Sequence, residues 1–254
     1  MSSKNATIDR RTLMAGVLAG GLTAPFMASS IKAETNGAAH ASELLQNPLL
    51  WAVAWSTTAA EFAALCHQAF NFAKFRVDQA VKQHDGSARP LAVITDMDNT
   101  IVHAASYWGY LVSEGIDFFN DDIWDEWIPK NLISLVPGAG EFLRHCEKQS
   151  VEVFYVTNRD QGPNSYNYAL KQLQYLGIPF ADREHLTVFQ ESSDKSPARE
   201  AISATHELAL LLGDNLNDFK RDYYTDDIDE RFALVERDKE DLGNRFIILP
   251  NATD

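Results

Sequence analysis

Two aspartates two positions apart, Asp96 and Asp98, stand in the run Asp96-Met97-Asp98-Asn99-Thr100, directly after the apolar stretch Leu91-Ala92-Val93-Ile94. Carboxylates placed in this way can divide labour: one stays ionised on a cation or an electrophile, and the other, shifted upward, donates a proton. A second acidic pair lies in Gly213-Asp214-Asn215-Leu216-Asn217-Asp218, after the apolar run 208–212. There the glycine permits a tight backbone turn, and two acids four apart can hold a hard cation with its water shell. Between these pairs come Thr157 and Asn158, in Val156-Thr157-Asn158-Arg159, and then Lys195. A hydroxyl and an amide can donate to the non-bridging oxygens of a phosphoryl group, and a lysine can offset the charge gathering there. Taken singly, each group has an ordinary explanation: a solvated turn, a strand-to-helix cap, a surface lysine.

The elements expected to position these groups follow from hydropathy. Short apolar, β-branched runs separated by helical segments predict a parallel sheet covered on both faces, in an α/β fold. Strands are predicted over 91–95, 151–156, 186–189, 208–212 and 246–249, and helices over 138–148, 164–176 and 197–204. Three of the polar motifs begin where a predicted strand ends, the edge at which open α/β sheets bind ligands. Upstream, residues 49–83 place Trp51, Trp55, Phe62, Leu65, Phe72 and Phe75 at three-, four- and seven-residue steps. That spacing predicts one long amphipathic helix or two stacked ones, with the aromatics as core contacts. The segment 106–137, rich in rings, is an insertion between the first two core strands, placed to form a small cap over the strand ends.

The chain has 254 residues, 45% of them hydrophobic, enough for one catalytic core with an insertion over 49–254. A formal charge of −14 excludes a chain that tracks nucleic-acid polymers, because such proteins need a basic surface. The two cysteines, Cys66 and Cys146, allow at most one bridge and no CxxC metal knuckle. Residues 1–33 read as a signal peptide: a polar start ending in Arg10-Arg11, then a weakly apolar run over 12–28. The paired arginines with Leu13 resemble a twin-arginine signal, which implies passage through export machinery and a periplasmic or secreted product with no stable membrane anchor. Cleavage is expected after Ala33 or Ala41, and 34–48 is read as a linker.

The order of the four motifs reproduces that of the haloacid-dehalogenase superfamily. Further strings, Val53-Ala54-Trp55, Gln68-Ala69-Phe70-Asn71, Phe154-Tyr155-Val156-Thr157-Asn158-Arg159, Leu211-Leu212-Gly213-Asp214-Asn215-Leu216 and Arg245-Phe246-Ile247-Ile248-Leu249-Pro250-Asn251, make the chain resemble the class C acid phosphatases. The resemblance implies a Rossmannoid core and an Mg²⁺-dependent acid phosphatase acting on phosphate monoesters, nucleoside 5′-monophosphates among them. It implies Asp96 as nucleophile and Asp98 as general acid, then base. Mg²⁺ would be held by the Asp96 carboxylate, the Asp98 backbone carbonyl and Asp214, with Asp218 acting through water. Thr157, Asn158 and Lys195 would bind the phosphoryl group. Tyr107, Tyr110 and Tyr224 are the candidate rings for an aromatic leaving group. The chain departs from the family at Asn99, where glutamate is usual, and at His103-Ala104, where an Asp-Asn pair is usual. Other readings on related scaffolds are a non-catalytic storage or binding protein, a phosphotransferase, a dehalogenase and a receiver domain. The retained Asp96 opposes the first of these. The Asp98 and Asp214 pairing opposes the dehalogenase, and DxDxT with an export signal opposes the receiver. The assembly is a small-molecule enzyme, monomeric or a homo-oligomer.

Overall fold

A computed structural model describes residues 44–86, 89–160 and 162–253, so the expected signal peptide, its cleavage sites and most of the linker lie outside the described residues. Five parallel strands form the core: β1 (Leu91–Thr95), β4 (Glu152–Asn158), β5 (Leu186–Phe189), β6 (Glu207–Gly213) and β7 (Phe246–Ile248). Their order is β5-β4-β1-β6-β7, so β1 lies at the centre and the chain builds outward from it in both directions. Such a reversal of direction opens a crevice at the carboxyl ends of the central strands. Asp96 is the first residue beyond β1, and its amide donates to the Leu212 carbonyl at 3.0 Å.

β1 is buried along its whole length, and its side chains alternate between two cores. Leu91 and Val93 join the larger cluster, under α2 (Ala60–Gln83), α5 (Ala139–Lys148) and α6 (Ser165–Tyr175), which supply Phe70, Phe142 and Leu173. Ala92 and Ile94 face the other way, onto Ala198 and Ile202 of α7 (Ser196–Thr205) and onto Phe219 and Phe246. Each large apolar side chain fully buried here contributes about 1.5–3 kcal/mol, and nothing but apolar residues would satisfy both faces of a central parallel strand. Cys66 and Cys146 both lie in the larger core as free thiols. Burial pushes the Cys66 thiol up to about 11, a value that keeps it protonated and inert.

The N-terminal region is two helices, α1 (Pro48–Thr58) and α2, bent by 68° at Ala59. Asn47 caps α1 by accepting from the Leu49 amide at 2.9 Å. The expectation that the aromatics here are core contacts holds for Phe62 and for the partly buried Trp55 but not for Trp51, Phe72 and Phe75, which are exposed, as is Leu65. The buried face of α2 is instead Phe62, Cys66, Phe70, Ala73 and Val77, a clean three- and four-residue ladder. Leu65, Phe72 and Phe75 belong to another face of the same helix.

Between β1 and β4 the chain forms α3 (Ala105–Ser113), α4 (Asp121–Trp127) and an antiparallel pair, β2 (Val102–His103) with β3 (Ser134–Leu135), so the cap begins a few residues before the expected 106. α1 packs on this cap, Leu49 and Val53 joining Tyr107, Trp108, Trp124 and Trp127 in one cluster. A last helix, α8 (Ile228–Asp238), has no counterpart among the sequence expectations. Among the described residues no single helix is long and apolar enough to cross a membrane.

Candidate active site

Four segments that are far apart in sequence meet at the carboxyl end of β1. After β1 the chain turns sharply: Ile101 and Val102 both donate to the Met97 carbonyl, at 3.0 and 2.8 Å. Asn99 takes a left-handed conformation there (φ 56°), which an asparagine tolerates better than most residues. The turn projects Asp96 and Asp98 into a cleft of about 430 Å³ that also exposes Thr157, Asn158, Lys195, Asp214 and Asp218. All seven core residues expected from the sequence are therefore brought together.

Lys195 caps the start of α7, and its ammonium, 7% exposed, lies between two carboxylates. It donates to Asp96 Oδ1 and, at 2.6 Å, to Asp218 Oδ1. Burial alone would lower its pKa, but the Asp96 and Asp218 charges outweigh that and the net shift is upward. Asp96 is pushed up to about 7, by burial first; Lys195 opposes the shift, and the Asp218 and Asp98 charges add to it. Carboxylate oxygens of Asp96, Asp214 and Asp218 lie within 4.8 Å of one another. With all three ionised, three negative charges face the single Lys195 ammonium, leaving two that one divalent cation would balance. An all-oxygen donor set of this kind suits a hard cation such as Mg²⁺.

The supporting contacts explain why the loop sequences are as they are. Asp214 is held from both sides: the Thr100 hydroxyl donates to Oδ1 at 2.8 Å, and the Asn251 amide to Oδ2 at 2.7 Å. Asp218 closes a capping box with Asn215, whose amide donates to Asp218 Oδ2 at 3.0 Å. Gly213 makes room for that arrangement, since a Cβ there would stand 2.3 Å from Asp218 Oδ2. Sequence reasoning assigned no role to Thr100, Asn251 or Arg159. Arg159 pairs with Asp98 through two hydrogen bonds, of 2.7 and 2.6 Å, and is buried beneath the cleft. Its adjacency to Thr157 and Asn158 at the same strand end is the one sequence signal for it.

The candidate rings divide three ways. Tyr107 is fully buried in the cap, its hydroxyl donating to the Asn120 carbonyl at 3.0 Å and accepting from the Asn120 amide at 2.9 Å. It lies on the buried face of α3 with Leu111, so it cannot reach the cleft. Tyr110, on another face of that helix, is half exposed and lines neither chamber. Tyr224 lines a second chamber of about 340 Å³ that adjoins the first through Phe119, Trp124, Asn158 and Ser193. The Arg221 guanidinium stands over the Tyr224 ring at 3.9 Å. The rings that line the main cleft are Trp108, Phe118, Phe119 and Trp124. Trp124 both packs in the cap cluster and lines the cleft.

The family model described as HAD superfamily, subfamily IIIB (acid phosphatase), matches residues 17–253. Two solved structures of the class C acid phosphatase from Bacillus anthracis, one with tungstate bound, are each 30% identical to this chain with a TM-score of 0.76. The alignments cover 83% and 84% of this chain and 86% of the other in both cases.

Proposed function

The chain belongs to the acid phosphatases of HAD superfamily subfamily IIIB, and from that premise we propose that it hydrolyses phosphate monoesters through a phospho-aspartate on Asp96, with Mg²⁺ as cofactor. The observation that carries the mechanism is the placing of Asp96 at the central strand end, with Lys195 on one of its oxygens and Asp98 beside it in the same cleft. A phosphate dianion entering a site of several carboxylates needs compensating charge, and Lys195, Thr157 and Asn158 supply a cation and neutral donors for its equatorial oxygens. The Bacillus anthracis relative has been solved with tungstate bound, and tungstate is a tetrahedral oxyanion, which supports an oxyanion-binding enzyme.

In the first step an Asp96 carboxylate oxygen attacks phosphorus, the bond from phosphorus to the ester oxygen breaks, and Asp98 gives that oxygen its proton. In the second, water attacks the phosphorus of the phospho-aspartate, Asp98 takes a proton from the water, and Asp96 is released with inorganic phosphate. Dividing one displacement into two lowers each barrier. Mg²⁺, held by Asp96, the Asp98 carbonyl and Asp214, with Asp218 acting through water, would supply positive charge against the dianion. The aromatic lining of the cleft favours a planar leaving group, such as that of a nucleoside 5′-monophosphate, and Phe119, Trp124 and Tyr224 are better placed for it than Tyr107. Arg10-Arg11 and the weakly apolar run after them support export by the twin-arginine route to the periplasm or beyond.

Asp96→Asn tests the core of this reading. The variant is expected to remain folded and to lose about a thousandfold or more in turnover, and excess chelator is expected to silence the native enzyme until Mg²⁺ is restored. Phosphate release from a panel of monoesters measures both. Native-like activity in Asp96→Asn would refute the phospho-aspartate, and full activity in chelator would refute the metal.

A further inference from the structure

Arg159 follows β4 directly, and its guanidinium grips Asp98 with two edges. Nε donates to Oδ2 at 2.7 Å and Nη2 to Oδ1 at 2.6 Å, while the Thr157 hydroxyl adds a longer bond to Oδ2 at 3.3 Å. A planar fork on a planar carboxylate fixes the rotation of the carboxylate as well as its position, which a lysine ammonium cannot do. Each carboxylate oxygen has two lone pairs. The fork takes one from each, the Thr157 hydroxyl takes the second on Oδ2, and the second on Oδ1 is left for the cleft, which Asp98 lines and Arg159 does not. The guanidinium is itself held: the Arg159 amide donates to the Phe189 carbonyl at 2.9 Å, and Cζ stands 5.9 Å from the centre of the Trp124 ring in the cap. Among the described residues Nη1 is buried with no hydrogen-bond partner. A fully buried guanidinium with one donor unspent is a costly way to stabilise a fold, since apolar side chains of similar volume commonly do as well. Its orientation is what an apolar residue could not provide.

We propose that Arg159 is the positioning residue for Asp98, aiming its carboxyl at the ester oxygen of the substrate, and that the Trp124 contact ties this aim to the cap. The inference rests on the phospho-aspartate reading. Arg159 transfers no proton: Asp98 protonates the departing oxygen as its bond to phosphorus breaks, and later takes a proton from water. The demand for that proton depends on the ester. An alkoxide must be protonated to leave, whereas p-nitrophenolate leaves readily without a proton.

The test is the ratio of kcat/KM for an alkyl phosphate to that for p-nitrophenyl phosphate, a parameter that reports on phosphorylation of Asp96. Both esters meet the same active enzyme, so the ratio is independent of how much of a variant folds. General acids contribute roughly a hundredfold or more, so Arg159→Met is expected to lower the ratio about a hundredfold, with Arg159→Lys intermediate. Guanidinium added to Arg159→Ala is expected to restore the alkyl ester selectively. Asp98→Asn must show the same split, and adding Arg159→Met to it is expected to change the ratio no further, as for two groups that act as one. Equal losses on both esters in Arg159→Met, or a further drop in the double variant, overturn the positioning role while the acid assignment stands on Asp98→Asn. If Asp98→Asn shows no split, the acid assignment falls and the positioning role falls with it. Asp96→Asn tests the nucleophile separately.

Discussion

The floor of the cleft and its rim are built on opposite principles. On the floor the charged groups are paired: Lys195 with Asp96 and Asp218, Arg159 with Asp98, Asp214 between Thr100 and Asn251. Each bond fixes an atom that a reacting phosphoryl group would meet, and Asp96, Asp98 and Asp214 sit at or just beyond strand ends while Lys195 stands at the start of α7. The rim consists of rings from the cap: Trp108, Phe119 and Trp124, packed edge to face or tilted against one another, and the exposed Phe118. Ring packing of this kind tolerates movement and replacement, whereas a displaced carboxylate does not. On the proposed function the floor would set whether a monoester is cleaved, and the rim which one.

Three substitutions probe that contrast. The largest effect is expected from Gly213→Ala on the floor, where the added methyl collides with Asp218 and frees Lys195 from one of its two partners. A misplacement of about 1 Å in such a site costs on the order of a hundredfold in kcat/KM, and the loss should be the same for every ester. A loss confined to bulky substrates would show that the floor also selects. Phe119→Ala on the rim is expected to raise KM for a nucleoside 5′-monophosphate about tenfold, the value of a single base stack, and to leave a small aliphatic phosphate unaffected. Parallel changes on both substrates would erase the distinction between rim and floor.

The smallest effect is expected outside both regions. Asp238, buried at the end of α8, accepts from Arg237 at 2.9 and 2.8 Å, from the Tyr223 hydroxyl at 3.1 Å, and pairs with Lys220 at 2.9 Å. The Arg237 hydrogen bonds, with those of Lys220 and Tyr223, hold its carboxyl well below the usual range. A carboxylate depressed in the folded state adds stability above its unfolded pKa of about 3.9, and loses that contribution as pH falls through the folded value. Asp238→Asn is thus expected to cost about 1–3 kcal/mol near neutral pH, progressively less below pH 4, with kcat unchanged. Denaturation curves at two pH values, beside one activity assay, measure all three statements.

Much of this was legible because a central parallel strand has to be apolar on both faces and must end where the chemistry begins. The run Leu91-Ala92-Val93-Ile94 followed by Asp96 could hardly fold otherwise, and the same texture located β4 and β6. Arg159 was not legible, since an arginine reads as a solvated surface residue until its burial opposite Asp98 is seen. The rings failed for a related reason. α3 carries aromatics on several faces, and only its packing on α1 and α4 decides that Tyr107 turns inward while Trp108 borders the cleft. α8 was missed although Ile228, Phe232 and Val235 stand at four- and three-residue steps; Ile228 and Phe232 are exposed, so this apolar stripe faces no core.

The clamp on Asp214 joins Thr100, 114 residues before it, to Asn251, 37 residues after it. Asn251 reaches its place only once β7 has paired with β6, and β7 is the outermost strand on that side of the sheet. β7 also completes the two cores flanking the sheet, adding Ile247 to one and Phe246 to the other, so the clamp and these cores close together, apart from the tryptophan cluster of the cap. In a chain recovering from denaturant, turnover should accordingly return in step with these cores rather than with tryptophan burial in the cap, and regained activity would report that the sheet has been completed through its final strand.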